Sequence, residues 1–287
     1  MIIVTDSAAD LPRDEVEELG VVVAPLHIQF SDGSVSAEEI TPDQFYSRLK
    51  AMEPEIPTTS QPSAGMFAEL YEKFSGFKDE ILSIHISSGL SGTIQSARLG
   101  ARQAAQASVH FFDTMTLSGG ERFHVRFAAC AAKAGWTREA ILDRLEKIRA
   151  ATEVVYTLET LTYLARGGRI GRVQALAGSI LKIKPVITVD KSDGRYSTVG
   201  KERTIQKALE SIREHLVGVY GHEKPMWVSV LHGQFADQAR QLAILLEEKM
   251  NIAKLEVLRI SPVLGVHTGP GIVGAAAVPM ELMEGVE

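Results

Sequence analysis

The chain has 287 residues, with 30 Lys and Arg against 36 Asp and Glu, a formal charge of -6, and 45% hydrophobic residues. This is globular composition for one or two domains and excludes general disorder; the acidic balance argues against a broad grip on nucleic-acid phosphates, which needs a basic face. The single cysteine, Cys130, excludes an internal disulfide and a cysteine-built zinc site.

Met1-Ile2-Ile3-Val4-Thr5-Asp6-Ser7 has no basic stretch followed by a long apolar one, so it reads as a buried strand rather than a signal peptide. No uncharged apolar run reaches the roughly 18–20 residues that cross a bilayer. The expectation is a cytoplasmic protein without a transmembrane segment. Leu11 to Leu19 reads as a short helix, and Val21 to Phe30 as an extended segment bent at Pro25. Thr41 and Pro42 open a helix as cap and first residue, and Ser60-Gln61-Pro62-Ser63 opens the next. Glu80 to Ile86 is a strand, Leu90 onward a helix, Val109 to Phe112 a strand, and Leu117 to Ala134 and Thr137 to Arg149 are helices. Strands alternating with helices imply a parallel sheet covered on both faces, giving an N-terminal α/β domain over 1–152.

From Val154 on, the pattern changes. Helices are expected at Thr160 to Ala165 and Val173 to Leu181. Strands Pro185 to Val189 and Tyr196 to Val199 flank the hairpin turn Asp193-Gly194. Helix Thr204 to Leu216, strand Trp227 to Leu231, helix Ala236 to Met250 and strands Leu255 to Ile260 and Ile272 to Val278 follow. A hairpin among βα units predicts a C-terminal α+β domain with a mixed sheet over 153–287.

Four loops carry chemistry. Ile86-Ser87-Ser88-Gly89-Leu90-Ser91-Gly92-Thr93 lies between a strand and a helix. There free N–H groups and hydroxyls suit an anion, or the serines simply cap the helix. It is not a P-loop, because the spacing and the lysine are missing. Thr58-Thr59-Ser60-Gln61-Pro62-Ser63 is a second hydroxyl-rich loop that reads as capping or, with the first, as a shared ligand site. Gly269-Pro270-Gly271-Ile272-Val273-Gly274 matches GxGxxG literally, but too little chain follows for a dinucleotide unit; its glycines instead expose backbone beside His267. Gly167-Gly168-Arg169-Ile170-Gly171-Arg172 can aim a guanidinium at a carboxylate or phosphate. Asp6 and Asp113 end strands of one sheet, as a metal pair or as caps. No metal-ligand motif, HExxH or GxSxG is present.

Taken in order, these loops resemble the DegV family of bacterial fatty-acid-binding proteins. The matching pieces are Thr5-Asp6-Ser7, Thr59-Ser60-Gln61-Pro62-Ser63, the Ile86–Thr93 loop, Leu161-Thr162-Tyr163-Leu164, Gly167-Gly168-Arg169-Ile170, Ile183-Lys184-Pro185 and His267-Thr268-Gly269-Pro270-Gly271. Asp113-Thr114 stands where the family usually has Asp-Ser. The resemblance implies one long-chain fatty acid, such as palmitate or oleate, in a buried tunnel, with the ligand's carboxylate between the domains. It implies a non-catalytic lipid-binding subunit whose partner, an ATP-binding fatty acid kinase subunit, makes an acyl phosphate. The carboxylate contacts implied are Thr59, Ser87, Ser88, His267 and Thr268, with Arg169 nearby. Arg203 is implied on the surface that meets the kinase. No cofactor or metal is implied. The alternatives are a serine esterase using Ser88 with His267, for which no acid is at hand to orient the histidine, and a subunit for a sugar or other small metabolite.

Overall fold

The first strand, β1 (Ile2–Asp6), is buried along nearly all its length, as an inner strand of a parallel sheet must be. The structure is a computed structural model that describes residues 1–74, 80–104, 106–173 and 183–286. After β1 come α1 (Arg13–Leu19), β2 (Val22–Ala24), β3 (His27–Phe30), β4 (Gly33–Ser36), α2 (Pro42–Ala51), β5 (Thr58–Ser60) and α3 (Ala64–Glu72). Then follow β6 (Ile81–His85), α4 (Thr93–Gln103), β7 (Val109–Asp113), α5 (Gly119–Lys133) and α6 (Arg138–Ala151). Strands β2, β1, β6 and β7 form one all-parallel sheet in that order.

The second half contains β8 (Glu153–Leu158), α7 (Thr162–Arg166), β9 (Lys184–Asp190), β10 (Arg195–Glu202), α8 (Ile205–Tyr220) and β11 (Met226–His232). It ends with α9 (Ala236–Glu247), β12 (Ile252–Arg259), α10 (Pro262–Thr268) and β13 (Ile272–Pro279). Its sheet runs β10-β9-β8-β13-β11-β12, antiparallel except for the β11–β12 pair. The expected helix Val173 to Leu181 lies, apart from Val173, outside the described residues.

Local chemistry accounts for the helix starts. Thr41 and Gln44 form a reciprocal capping box with Pro42 at the first helical position. Ser63, Thr137 and Thr204 each accept a backbone N–H at the starts of α3, α6 and α8. Two segments differ from expectation. Helix α4 begins at Thr93, not Leu90, because Leu90 N and Ser91 N both return to the Ser87 carbonyl and close a turn. Thr58–Ser60 is a strand, not a loop. It pairs with β3, which also pairs with β4, in a small antiparallel sheet.

The two sheets are joined through α5, which packs on β1 and β6 and on β8 and β13. Arg122 on α5 is 3% exposed and bridges Glu15 of α1 and Glu256 of β12 at 2.7 Å each. Hydrogen bonds from Arg122 and Trp227 outweigh burial and hold the Glu256 carboxyl down to about 2.

Candidate ligand site between the sheets

The chain leaves β1 toward β2 on one side and, later, returns to β6 on the other. Such a reversal opens a crevice at the carboxyl ends of the strands. Asp6 fixes both of its rims. Its Oδ1 accepts the Ala8 N–H at 3.0 Å, and its Oδ2 accepts the Ile86 N–H at 3.2 Å and meets His85 Nδ1 at 2.9 Å. His85 Nε2 lies 2.7 Å from Ser83 Oγ, itself 2.8 Å from the Tyr71 hydroxyl. Ser83, His85 and Asp6 stand in the order of a catalytic relay, but Ser83 and His85 are fully buried and Tyr71 covers the serine, so no substrate reaches it. Asp113 is separated from Asp6 by β6 and accepts the backbone N–H groups of Ser88 and Met115. The two aspartates cap loops and do not form a pair.

A cavity of about 40 Å³ lies in the crevice, walled by Ala8, Ile86, Thr59, Ser91, Arg169 and His267 among others. Pairing of β5 with β3 carries Thr59 to it, and α10 carries His267. Thr59 Oγ1 and His267 Nε2 are 2.7 Å apart. Burial, helped by the Arg169 charge, pushes the His267 pKa from 6.5 down to about 4, so the imidazole is neutral at pH 7. Its Nδ1 is buried and has no hydrogen-bond partner among the described residues. Gly167 makes that packing achievable, since a Cβ there would stand 2.3 Å from Nδ1. Arg169 sits exposed at the rim, its Nη1 donating to the Gly167 carbonyl at 2.8 Å. The other arginine of that loop, Arg172, pairs with Asp190 and Asp193 at the tip of the β9–β10 hairpin.

The remaining expected contacts lie elsewhere. Ser87 is buried, and its hydroxyl donates to the Gly194 carbonyl at 2.8 Å while accepting the Gly89 N–H. It clamps the hairpin and does not line the cavity. Ser88 is exposed and also does not line it. Ser91, further along the same loop, does. Its hydroxyl is 2.8 Å from Thr93 Oγ1. Thr268 bonds back to the Leu264 carbonyl within α10 and faces a second cavity. Arg203 is exposed just ahead of α8. The second cavity, about 30 Å³, is walled chiefly by Leu117, Val154, Tyr156, Leu231, Ile260 and Leu264. Leu264 lines both cavities, and the rings of Tyr156 and Tyr196, one from each wall, meet edge to face at 5.9 Å.

Residues 1–280 match the family described as uncharacterised protein, DegV family. The chain belongs to the DegV family. A DegV domain-containing protein of Deinococcus radiodurans is 36% identical over 277 residues, covering 96% of this chain and 95% of that one. The solved structure of a DegV family protein from Thermus thermophilus, described by its fatty acid binding, is 35% identical. It superposes with a TM-score of 0.89 over 97% of this chain and 99% of that chain. A stearic acid-binding protein from Eubacterium ventriosum superposes with a TM-score of 0.88 at 25% identity, over 97% and 98% of the two chains. The architecture of this DegV chain, a parallel sheet followed by a mixed sheet, is therefore that of fatty-acid-binding relatives. The esterase alternative lacks support in the site. Ser88 lies outside the cavity, and no carboxylate holds His267 Nδ1 among the described residues. Among the described residues no group of three His, Cys, Asp or Glu could hold a metal ion.

Proposed function

We propose that this protein binds one long-chain fatty acid in its interior and presents the carboxylate to a separate ATP-binding kinase subunit, which converts it to an acyl phosphate. The observation that carries the reading is a cavity with hydroxyl, imidazole and guanidinium groups in an otherwise apolar wall, abutting a second cavity that is apolar almost throughout. Thr59, Ser91, His267 and Arg169 gather at the first, and Leu264 separates it from the second. A carboxylate leaving water needs several hydrogen bonds. Hydroxyls and a neutral imidazole supply them, and Arg169 supplies a positive charge at the rim. The tail needs only apolar walls, each CH₂ contributing about 0.8 kcal/mol, or roughly 10 kcal/mol for a palmitoyl chain. Tail burial thus dominates retention and the head-group contacts dominate positioning.

The head group is assigned to Thr59, Ser91, His267 and Arg169, with Ser87 and Thr268 holding the walls. The tail runs past Leu264 along the apolar cavity, whose walls part to admit the chain, since about 30 Å³ holds little more than one water, and Arg203 belongs to the face offered to the kinase. The relatives from Thermus thermophilus and Eubacterium ventriosum, described as binding fatty acid and stearic acid, support the ligand class. The sequence holds no P-loop, so ATP is assigned to the partner. Solvent extraction of the purified protein followed by mass spectrometry should yield one fatty acid per chain, and adding the kinase subunit with ATP should convert it to acyl phosphate. An empty protein that takes up neither palmitate nor oleate would overturn the proposal.

A further inference from the structure

The apolar cavity has one wall unlike the others. Leu117, Val154 and Leu231 belong to the buried core, and none of them lines any larger opening. Ile260, 2% exposed, lines both this cavity and a cleft of about 450 Å³ beside the carboxyl ends of β1 and β2. At Ile260 the partition between them is one side chain thick. A hydrogen bond closes it at a second point. Ser118 lines the cavity, Asp10 lines the cleft, and Ser118 Oγ donates to Asp10 Oδ2. Asp10 Oδ1 accepts the N–H of Ser261, the neighbour of Ile260, at 2.6 Å. Asp10 and Ser118 both have positive φ, 51° and 55°, a conformation that side chains rarely adopt. Such strain persists only where the surroundings hold it, and it collects at ligand clamps. Here two strained residues grip each other across the partition.

A cavity of about 30 Å³ cannot take a long acyl tail unless side chains give way. Pushing into close-packed core is unfavourable, whereas a side chain with open volume behind it yields at little cost. Ile260 is that side chain. Beyond it Leu11, Val23, Ile40 and Leu258 offer apolar surface. The acids of the cleft leave this surface free. Asp6 is occupied by Ala8, Ile86 and His85, Asp10 by Ser118 and Ser261, and Glu38 is only half-buried.

We infer that Ile260, braced by the Asp10–Ser118 pair, is the end stop of the acyl tail and sets the chain length that the protein accepts. The inference rests on the fatty-acid reading above. The test offers the full chain an equal mixture of palmitate and docosanoate and reads the bound acid by native mass spectrometry. The unmodified protein should favour palmitate. Ile260→Ala opens the partition, and each CH₂ that reaches an apolar wall tightens binding about fourfold. The ratio of docosanoate to palmitate should therefore rise about tenfold or more in this variant. Ile260→Val, a milder change should alanine unfold the chain, should raise it about twofold or more. Leu258 lies two residues before Ile260 and also lines the cleft. Adding Leu258→Trp to Ile260→Ala fills the space behind the opening and should return the ratio toward the unmodified value. The inference is overturned if the unmodified protein takes docosanoate as readily as palmitate, if the Ile260 variants load palmitate at the unmodified ratio, or if Leu258→Trp leaves the raised ratio in place. An unmodified protein that takes up neither acid overturns the fatty-acid reading itself, and this inference with it.

Discussion

Thr59 Oγ1 and His267 Nε2, 208 residues apart in the chain, stand 2.7 Å from each other in the wall of the cavity proposed for the head group. Each is brought there by tertiary structure, Thr59 by a three-residue strand and His267 by the last turn of α10. Thr59→Val keeps the side-chain volume and removes the hydroxyl. The bound lipid should remain, because tail burial is untouched. Partner-dependent acyl-phosphate formation should fall about tenfold to hundredfold, the cost of one hydrogen bond to a charged group. Assaying lipid content and product on the same preparation separates the two effects; parallel loss of both would contradict the assignment.

The neutral His267 gives a pH signature. Without ligand, burial and then the Arg169 charge hold its pKa down to about 4. A carboxylate nearby stabilises the charged imidazole, so loading should raise this value. By linkage, binding of the anion should tighten as the pH falls through the raised value toward about 4. Imidazole resonances of His267 followed against pH, with and without fatty acid, report it directly. A loaded protein titrating at or below the lipid-free value would place the carboxylate elsewhere.

The Ser87 clamp predicts a backbone effect. A Cβ on Gly89 would stand 2.4 Å from the Asp193 carbonyl oxygen and 2.7 Å from Gly194 C. These are backbone atoms of the hairpin that Ser87 holds, and they cannot swing aside. Gly89→Ala should lift the hairpin, whose Tyr196 walls the head-group cavity. Faster exchange of bound fatty acid with acceptor vesicles would show it, while Ser88→Ala, altering an exposed side chain, should exchange at the unmodified rate.

Much of this was legible in the sequence. The cap at Thr41, the helix starts at Ser60–Ser63 and Thr137, the parallel N-terminal sheet and the hairpin at Asp193-Gly194 are local signals, and each stands in the structure. The serine facing the cavity was not legible. Ser87, Ser88 and Ser91 are alike locally, and the choice of Ser91 depends on a turn closed at the Ser87 carbonyl and on Gly194, 107 residues away. The strand Thr58–Ser60 was missed for the same reason, since it exists through pairing with β3. Thr268 adjoins His267 in sequence, but on a helix adjacent residues face different directions, and it serves the apolar cavity.

Arg122 supports a stability prediction. Arg122→Ala would remove the cation that Glu15 and Glu256 share, leaving Glu15 to Arg126 and Glu256 to Lys254 and the Trp227 N–H, at a cost of up to about 3 kcal/mol. Denaturant unfolding should record that loss. Because the Glu256 pKa is held at about 2 against its ordinary 4.5, its contribution is present above about pH 4.5 and is lost as the pH falls through 2. The unmodified protein should show that acid limb at Glu256, and it should be smaller in the Arg122→Ala variant, where Trp227 and Lys254 alone hold the carboxylate.

The central claim is where the carboxylate lies. Loading the protein with palmitate isotope-labelled at its carboxyl carbon, and recording through-space magnetisation transfer from that carbon, tests it most directly. The account predicts transfer to Thr59, Ser91 and His267, with the terminal methyl group among Val154, Leu231 and Ile260. Transfer from the carboxyl carbon to those apolar residues instead would contradict it.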